Sequence, residues 1–233
     1  MKFGKVVFAG LLAVLACGAA NGAQLVVVEA RGIALKPGTV VDPTKAIVLK
    51  QGQHVTLISD SGATLSLDGP YSKPPALGQG QGVTLAATLK GLATEQQARL
   101  SEVGTTRGTA PAPPLPDAWV IDATRNGSVC MREGSTALFW RPLDKQSADL
   151  VIMPADRSWR AETNWAAGID RIVATSQVAV HGDAAYFVSL GGAESAITVN
   201  TVPEVLANDE MRAAWMARKG CDRQAEALLR ARQ

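Results

Sequence analysis

The chain has 233 residues, 47% of them hydrophobic and 19% charged, enough apolar material to build a core and too much for wholesale disorder. Its 23 basic and 21 acidic residues nearly cancel, so no basic surface for nucleic acid is expected. Twenty-two Gly and 12 Pro, together with many Val, Thr and Ser, favour β structure with frequent turns.

The first 23 residues read as an export signal. Lys2 and Lys5 supply a positive start, and Val6 to Cys17 is an apolar run too short to span a bilayer. Two processing readings stay open: cleavage after Ala23, or lipidation of Cys17, because Val14-Leu15-Ala16-Cys17 resembles a lipobox. The first predicts a periplasmic or secreted protein, the second a lipoprotein that meets the membrane only through its anchor. Cleavage after Ala23 removes two of the 23 basic residues and leaves 21 against 21 acidic ones. Either route leaves Cys130 and Cys221, and an even pair in an oxidising compartment predicts a disulfide between them.

Residues 24–103 are expected to form a small first domain. Leu25 to Val28 is a continuous β-branched run suited to a strand buried on both faces. Turns are predicted at Lys36-Pro37-Gly38 and Asp42-Pro43-Thr44. Three alternating runs between Ala46 and Tyr71 then predict a β-meander. Ile47 and Leu49, Val55 and Leu57, and Ala63, Leu65 and Leu67 face inward, with Lys50, Thr56, Thr64, Ser66 and Asp68 towards solvent. An amphipathic helix is predicted over 83–102 from the spacing of Leu85, Leu89, Leu92 and Leu100, and would cover one face of the sheet.

Gly32, Leu35, Pro37, Gly38 and Val41, followed by Gly52, Val55 to Leu57, Gly62 and Thr64 to Leu67, give an order of glycines and strands that resembles the FecR-like domain of bacterial envelope proteins. The resemblance covers about fifty residues within 24–71. It implies an exported β-domain. The regulatory role of the family's transmembrane members is not implied, because no internal membrane segment or cytoplasmic part is evident.

Residues 104–117, with four prolines among Gly, Ala and Thr, predict an extended linker. All five tryptophans follow it, in 118–233, a contrast that predicts two separate cores. Strands are expected near 119–122, 128–132, 137–141, 149–153, 159–163, 185–190 and 196–202, arranged as an antiparallel sandwich or barrel. A helical tail begins at Asn208, a good N-cap followed by Asp209 and Glu210, and breaks at Gly220. In its second helix Cys221, Ala225, Leu228 and Leu229 share a face, which places Cys221 to pin the tail to the strand of Cys130. The fold class is thus mainly β, α+β overall.

Chemistry is sparse. His54 and His181 lack metal-ligand spacing, no nucleophile elbow is present, and no Gly-rich loop is placed to cradle phosphate, so no metal or cofactor is expected. Trp159, Arg160 and Trp165 lie close enough in sequence to form a stacking platform for a glycan, although tryptophans in small β-domains are mostly core. Arg125, Arg132, Arg141, Arg157, Arg160 and Arg171 are expected at the surface or in ion pairs, with an anion-binding patch as the alternative for some of them. Three functions follow in order: a non-catalytic envelope protein that mediates interaction or assembly; a module binding cell-wall glycan through Trp159 and Trp165; and a hydrolase whose acid pair is drawn from Glu162, Asp170 and Asp183.

Overall fold

A computed structural model describes residues 24–75, 113–174 and 180–232. The expected signal with Cys17, the helix over 83–102 and most of the linker lie outside the described residues.

Strand β1 (Leu25–Arg31) is buried from Leu25 to Val28, as a β-branched run should be when both faces are covered. It pairs with β2 (Val40–Val41) on one side and β4 (His54–Ser59) on the other, and β4 continues through a tight turn into β5 (Thr64–Asp68). The meander is only partly realised. Strand β3 (Ile47–Leu49) does not pair with β4; it pairs with β6 (Tyr71–Lys73) in a second sheet. The turn at Lys50 to Gln53 carries the chain from one sheet to the other, with Gly52 at φ 81°. Leu25, Val27, Ile47, Leu49, Val55, Leu57, Leu65 and Leu67 then fill the space between the two sheets.

The opposite face of the larger sheet is not open to water. Thr56 is fully buried and Thr64 nearly so, contrary to the expected solvent side. Helix α1 (Asp209–Arg218) lies against β4, and Val26, Val28 and Ile58 share a cluster with Met211, Trp215 and Met216. The two cores expected from the tryptophan distribution therefore meet in a third that both halves build.

The second half is a sandwich whose sheets do not close into a barrel. One sheet has the order β11 (Ala161–Trp165), β10 (Ala148–Pro154), β13 (Ala184–Leu190), β14 (Ala193–Val202), β8 (Gly127–Arg132). The other has the order β12 (Arg171–Val173), β9 (Leu138–Trp140), β7 (Val120–Asp122). Most pairings are antiparallel, as expected, and two, β8 with β14 and β7 with β9, are parallel, so both sheets are mixed. Strand β12 has no counterpart in the sequence prediction. Ile121, Phe139, Leu150, Ile152, Trp165, Val188 and Ile197 are among the side chains between the sheets.

The tail follows its sequence signals. Asn208 accepts a hydrogen bond from the Met211 N–H at 2.9 Å, capping α1, and Gly220 turns the chain at φ 78° into α2 (Asp222–Arg230). The Asn208 side chain also donates to the Asp60 carbonyl at 2.8 Å, which joins the tail to the β4–β5 turn.

Candidate functional site

The expected aromatic platform is not assembled. Trp165 is fully buried between the sheets, and its Nε1 donates to the Ile169 carbonyl at 2.9 Å. Its place at the inward-facing end of β11, opposite Ala148, gives the ring to the core. Trp159 is half-buried and leans on Tyr186, with ring centroids 6.2 Å apart. Arg160 is exposed and pairs with Glu162 at 2.5 Å. Burial of the larger apolar area outcompetes ligand stacking here.

The three acids proposed for hydrolysis are engaged separately. Glu162 holds Arg160, Asp170 lies 3.7 Å from Arg171, and Asp183 accepts from the Thr201 N–H at 3.5 Å. His54 is half-buried, not solvent-facing: Nδ1 contacts Asp68 at 2.7 Å and Nε2 contacts Thr56 at 2.9 Å. His181 lies just before the Gly182-Asp183 turn, where the Tyr186 hydroxyl bonds its backbone. Among the described residues no group of three His, Cys, Asp or Glu side chains is placed to hold a metal.

Cys130 and Cys221 are joined, with Cα atoms 5.9 Å apart, so α2 is fixed covalently to β8. Beside the bond lies Gln224, only 3% exposed. Its Oε1 accepts from the Cys130 N–H at 2.6 Å, and its Nε2 donates to the carbonyls of Ala118 at 2.9 Å, Val120 at 3.2 Å and Cys130 at 2.7 Å. The side-chain amide acts as a rung between β7 and β8, whose backbone groups would otherwise be buried without partners. Asp122 completes the joint: one oxygen accepts from Thr124, the other from Arg223 at 2.6 Å. Next to it is a cleft of about 200 Å³, bordered by Arg125, Ser128 and Asp222. Burial first, and the nearby Glu226 second, push the Asp222 carboxyl above its ordinary range, and its buried Oδ1 has no hydrogen-bond partner among the described residues.

A different feature marks the far side of the smaller sheet. Trp140 gives its carbonyl to Ala123, next to β7, while Arg141 N–H donates to the Asp170 carbonyl and Ala174 N–H to the Ala137 carbonyl. In an antiparallel ladder this alternation turns the backbone of residues 170, 172 and 174 towards β9 and that of Arg171 and Val173 outward. Among the described residues, strand β12 therefore forms an edge. Its side chains alternate too: Ile172 packs inward against the core, while Val173 is 57% exposed and Ile169, two residues before β12, is 49% exposed. Leu143, 73% exposed, belongs instead to the segment after β9, where the Gly168 N–H bonds the neighbouring Asp144 carbonyl. Ile169 and Val173, two of the five large apolar side chains most exposed among the described residues, thus lie on or just before this edge strand. Sequence reasoning missed this edge because three residues, Arg-Ile-Val, give too short an alternation to register as a strand.

Comparisons with family models, curated proteins and solved structures find no match to this chain.

Proposed function

We propose that the protein is an exported, non-catalytic interaction or assembly module of the bacterial envelope, and that the β12 edge is where its partner docks. The carrying observation is the coincidence of outward-turned backbone at Arg171 and Val173 with the exposed apolar side chains of Ile169 and Val173. An edge of this kind accepts an extended segment by strand addition: backbone hydrogen bonds supply affinity, and apolar contacts supply selectivity. The occupant is an extended partner segment with apolar side chains at alternate positions. The Cys130–Cys221 bond belongs to the chemistry of an oxidising compartment, in keeping with the export-type N-terminus. The FecR-like order within 24–71 supports the same setting. Loss of Trp165 to the core leaves the glycan reading without its second ring.

Strand addition makes a specific demand on Val173. Because its N–H points away from β9, Val173→Pro removes an outward donor without breaking a ladder bond. A photo-crosslinker at Ile169 in the exported protein should give a discrete adduct, several-fold weaker in the Val173→Pro background at unchanged melting temperature. Equal yield in the two backgrounds, or the same adduct from a crosslinker at Lys73, would overturn the proposal.

A further inference from the structure

Arg141 departs from every other arginine named above. It is 2% exposed, yet among the described residues it pairs with no carboxylate. Its guanidinium is held by carbonyls: Nε donates to Ile169 at 3.4 Å, and Nη2 to Gln146 at 3.2 Å, Trp165 at 3.3 Å and Ala166 at 2.9 Å. The Trp165 ring lies 5.0 Å from its central carbon. Carbonyl oxygens orient a guanidinium without neutralising it, and a buried charge without a counter-ion is costly. Nη1 donates to no described residue.

An open cleft of about 830 Å³ is bordered by Arg141, the rest of the segment 141–149 and the Leu190-Gly191 turn. Leu143 and Leu190 supply apolar wall. Asp144 and Asp149 stand on the same wall, each with one oxygen already engaged, by the Gln146 N–H and by Asn164. Their charge disfavours a multiply charged anion such as phosphate. A single carboxylate with an apolar substituent suits one buried guanidinium flanked by leucines, since a charge-assisted bond to guanidinium is the strong contact such a group can make.

We propose that this cleft binds a carboxylate-bearing ligand, the carboxylate on Arg141 Nη1 and its apolar substituent against Leu143 and Leu190. The site does not depend on strand addition at β12 and stands if that docking fails. Either a free small carboxylic acid or the C-terminus of a peptide carries this chemistry.

The test uses the intact oxidised protein, following the Arg141 guanidinium ¹⁵N–¹H resonances by NMR. N-acetylleucine and an acetylated dipeptide acid ending in leucine are titrated separately, with N-acetylleucine amide and inorganic phosphate as comparisons. Saturable shifts of the Arg141 resonances are expected with the acids at about millimolar concentration, with none from the amide and weaker ones from phosphate. Tighter binding of the dipeptide acid would assign a chain terminus, and tighter binding of the free acid a small metabolite. Leu143→Asp, a change at an exposed position, should weaken binding several-fold without altering the fold. No saturable response to either acid, an equal response to the amide, or unchanged affinity in Leu143→Asp would overturn the site.

Discussion

Gln224 and Asp222 sit two residues apart on α2 and meet opposite fates. Gln224 answers four backbone groups of three residues, and Gln224→Leu would orphan them inside the joint between β7 and β8. Since a buried polar group left without its partner costs about 1–3 kcal/mol, a loss of about 3 kcal/mol is expected in urea unfolding of the oxidised protein. A loss below about 0.5 kcal/mol, the size of an ordinary surface change, would mean that water takes over the rung. Asp222 works the other way. Its carboxyl is held above the unfolded-state value, so the native state takes up the proton more readily than the unfolded chain. By linkage, the residue lowers stability as pH rises through that interval, and the penalty stays in place at neutral pH. Asp222→Asn should therefore melt higher than the parent at pH 7, the difference shrinking as the pH falls below the ordinary aspartate range. A gap that widens on acidification would contradict the assignment.

At the scale of elements, the tail is the part that the sequence announces best and whose role it announces least. Asn208, Asp209, Glu210 and Gly220 mark both helices by capping and dipole chemistry, which is local and therefore readable. The joining of Cys221 to Cys130 follows from compartment and parity. That α1 covers the first sheet is a long-range fact, and no periodicity within 24–75 encodes it. Thr56 and Thr64 look like solvent-side residues because threonine suits either face of a sheet. Likewise the alternation of Ile47 and Leu49 reports a buried face but not the partner strand, so β3 was free to pair with β6. Trp165, Arg160 and Trp159 show the same limit at the site: proximity in sequence says nothing about which ring the core will take.

The close approach of α1 to the β4–β5 turn gives a direct probe of the contact. Gly62 has φ 74°, and a Cβ there would lie 3.0 Å from the Glu210 carbonyl oxygen. Gly62→Ala should thus strain the turn and push the helix away, with an expected loss of about 1–3 kcal/mol. Asn208→Ala removes the cap and the bond to Asp60 together, for about 1 kcal/mol or somewhat more. Losses in both variants should appear in the unfolding of β1 and β4 as well as in that of the tail.

For the described residues as a whole, these contacts describe one locked body with the short strand β12 at a sheet edge. Val26, Val28 and Ile58 share a cluster with the tail, and the Cys130–Cys221 bond closes the tail onto the second half. Reduction should cost about 2–5 kcal/mol and loosen the first sheet too, because α1 bridges it. Against that rigid background, the docking proposed for β12 would proceed at little ordering cost, since its outward backbone groups are already in place.

Residue-resolved hydrogen exchange on the oxidised protein tests both parts of this picture at once. The amides of Val26, Leu57, Val129 and Met216 should exchange together at the slow rate of global unfolding, while those of Arg171 and Val173 exchange orders of magnitude faster than that of Ile172 between them. Fast exchange of Val26 and Leu57 with Val129 still protected would separate the two halves, and protection of Arg171 and Val173 equal to that of Ile172 would close the docking edge.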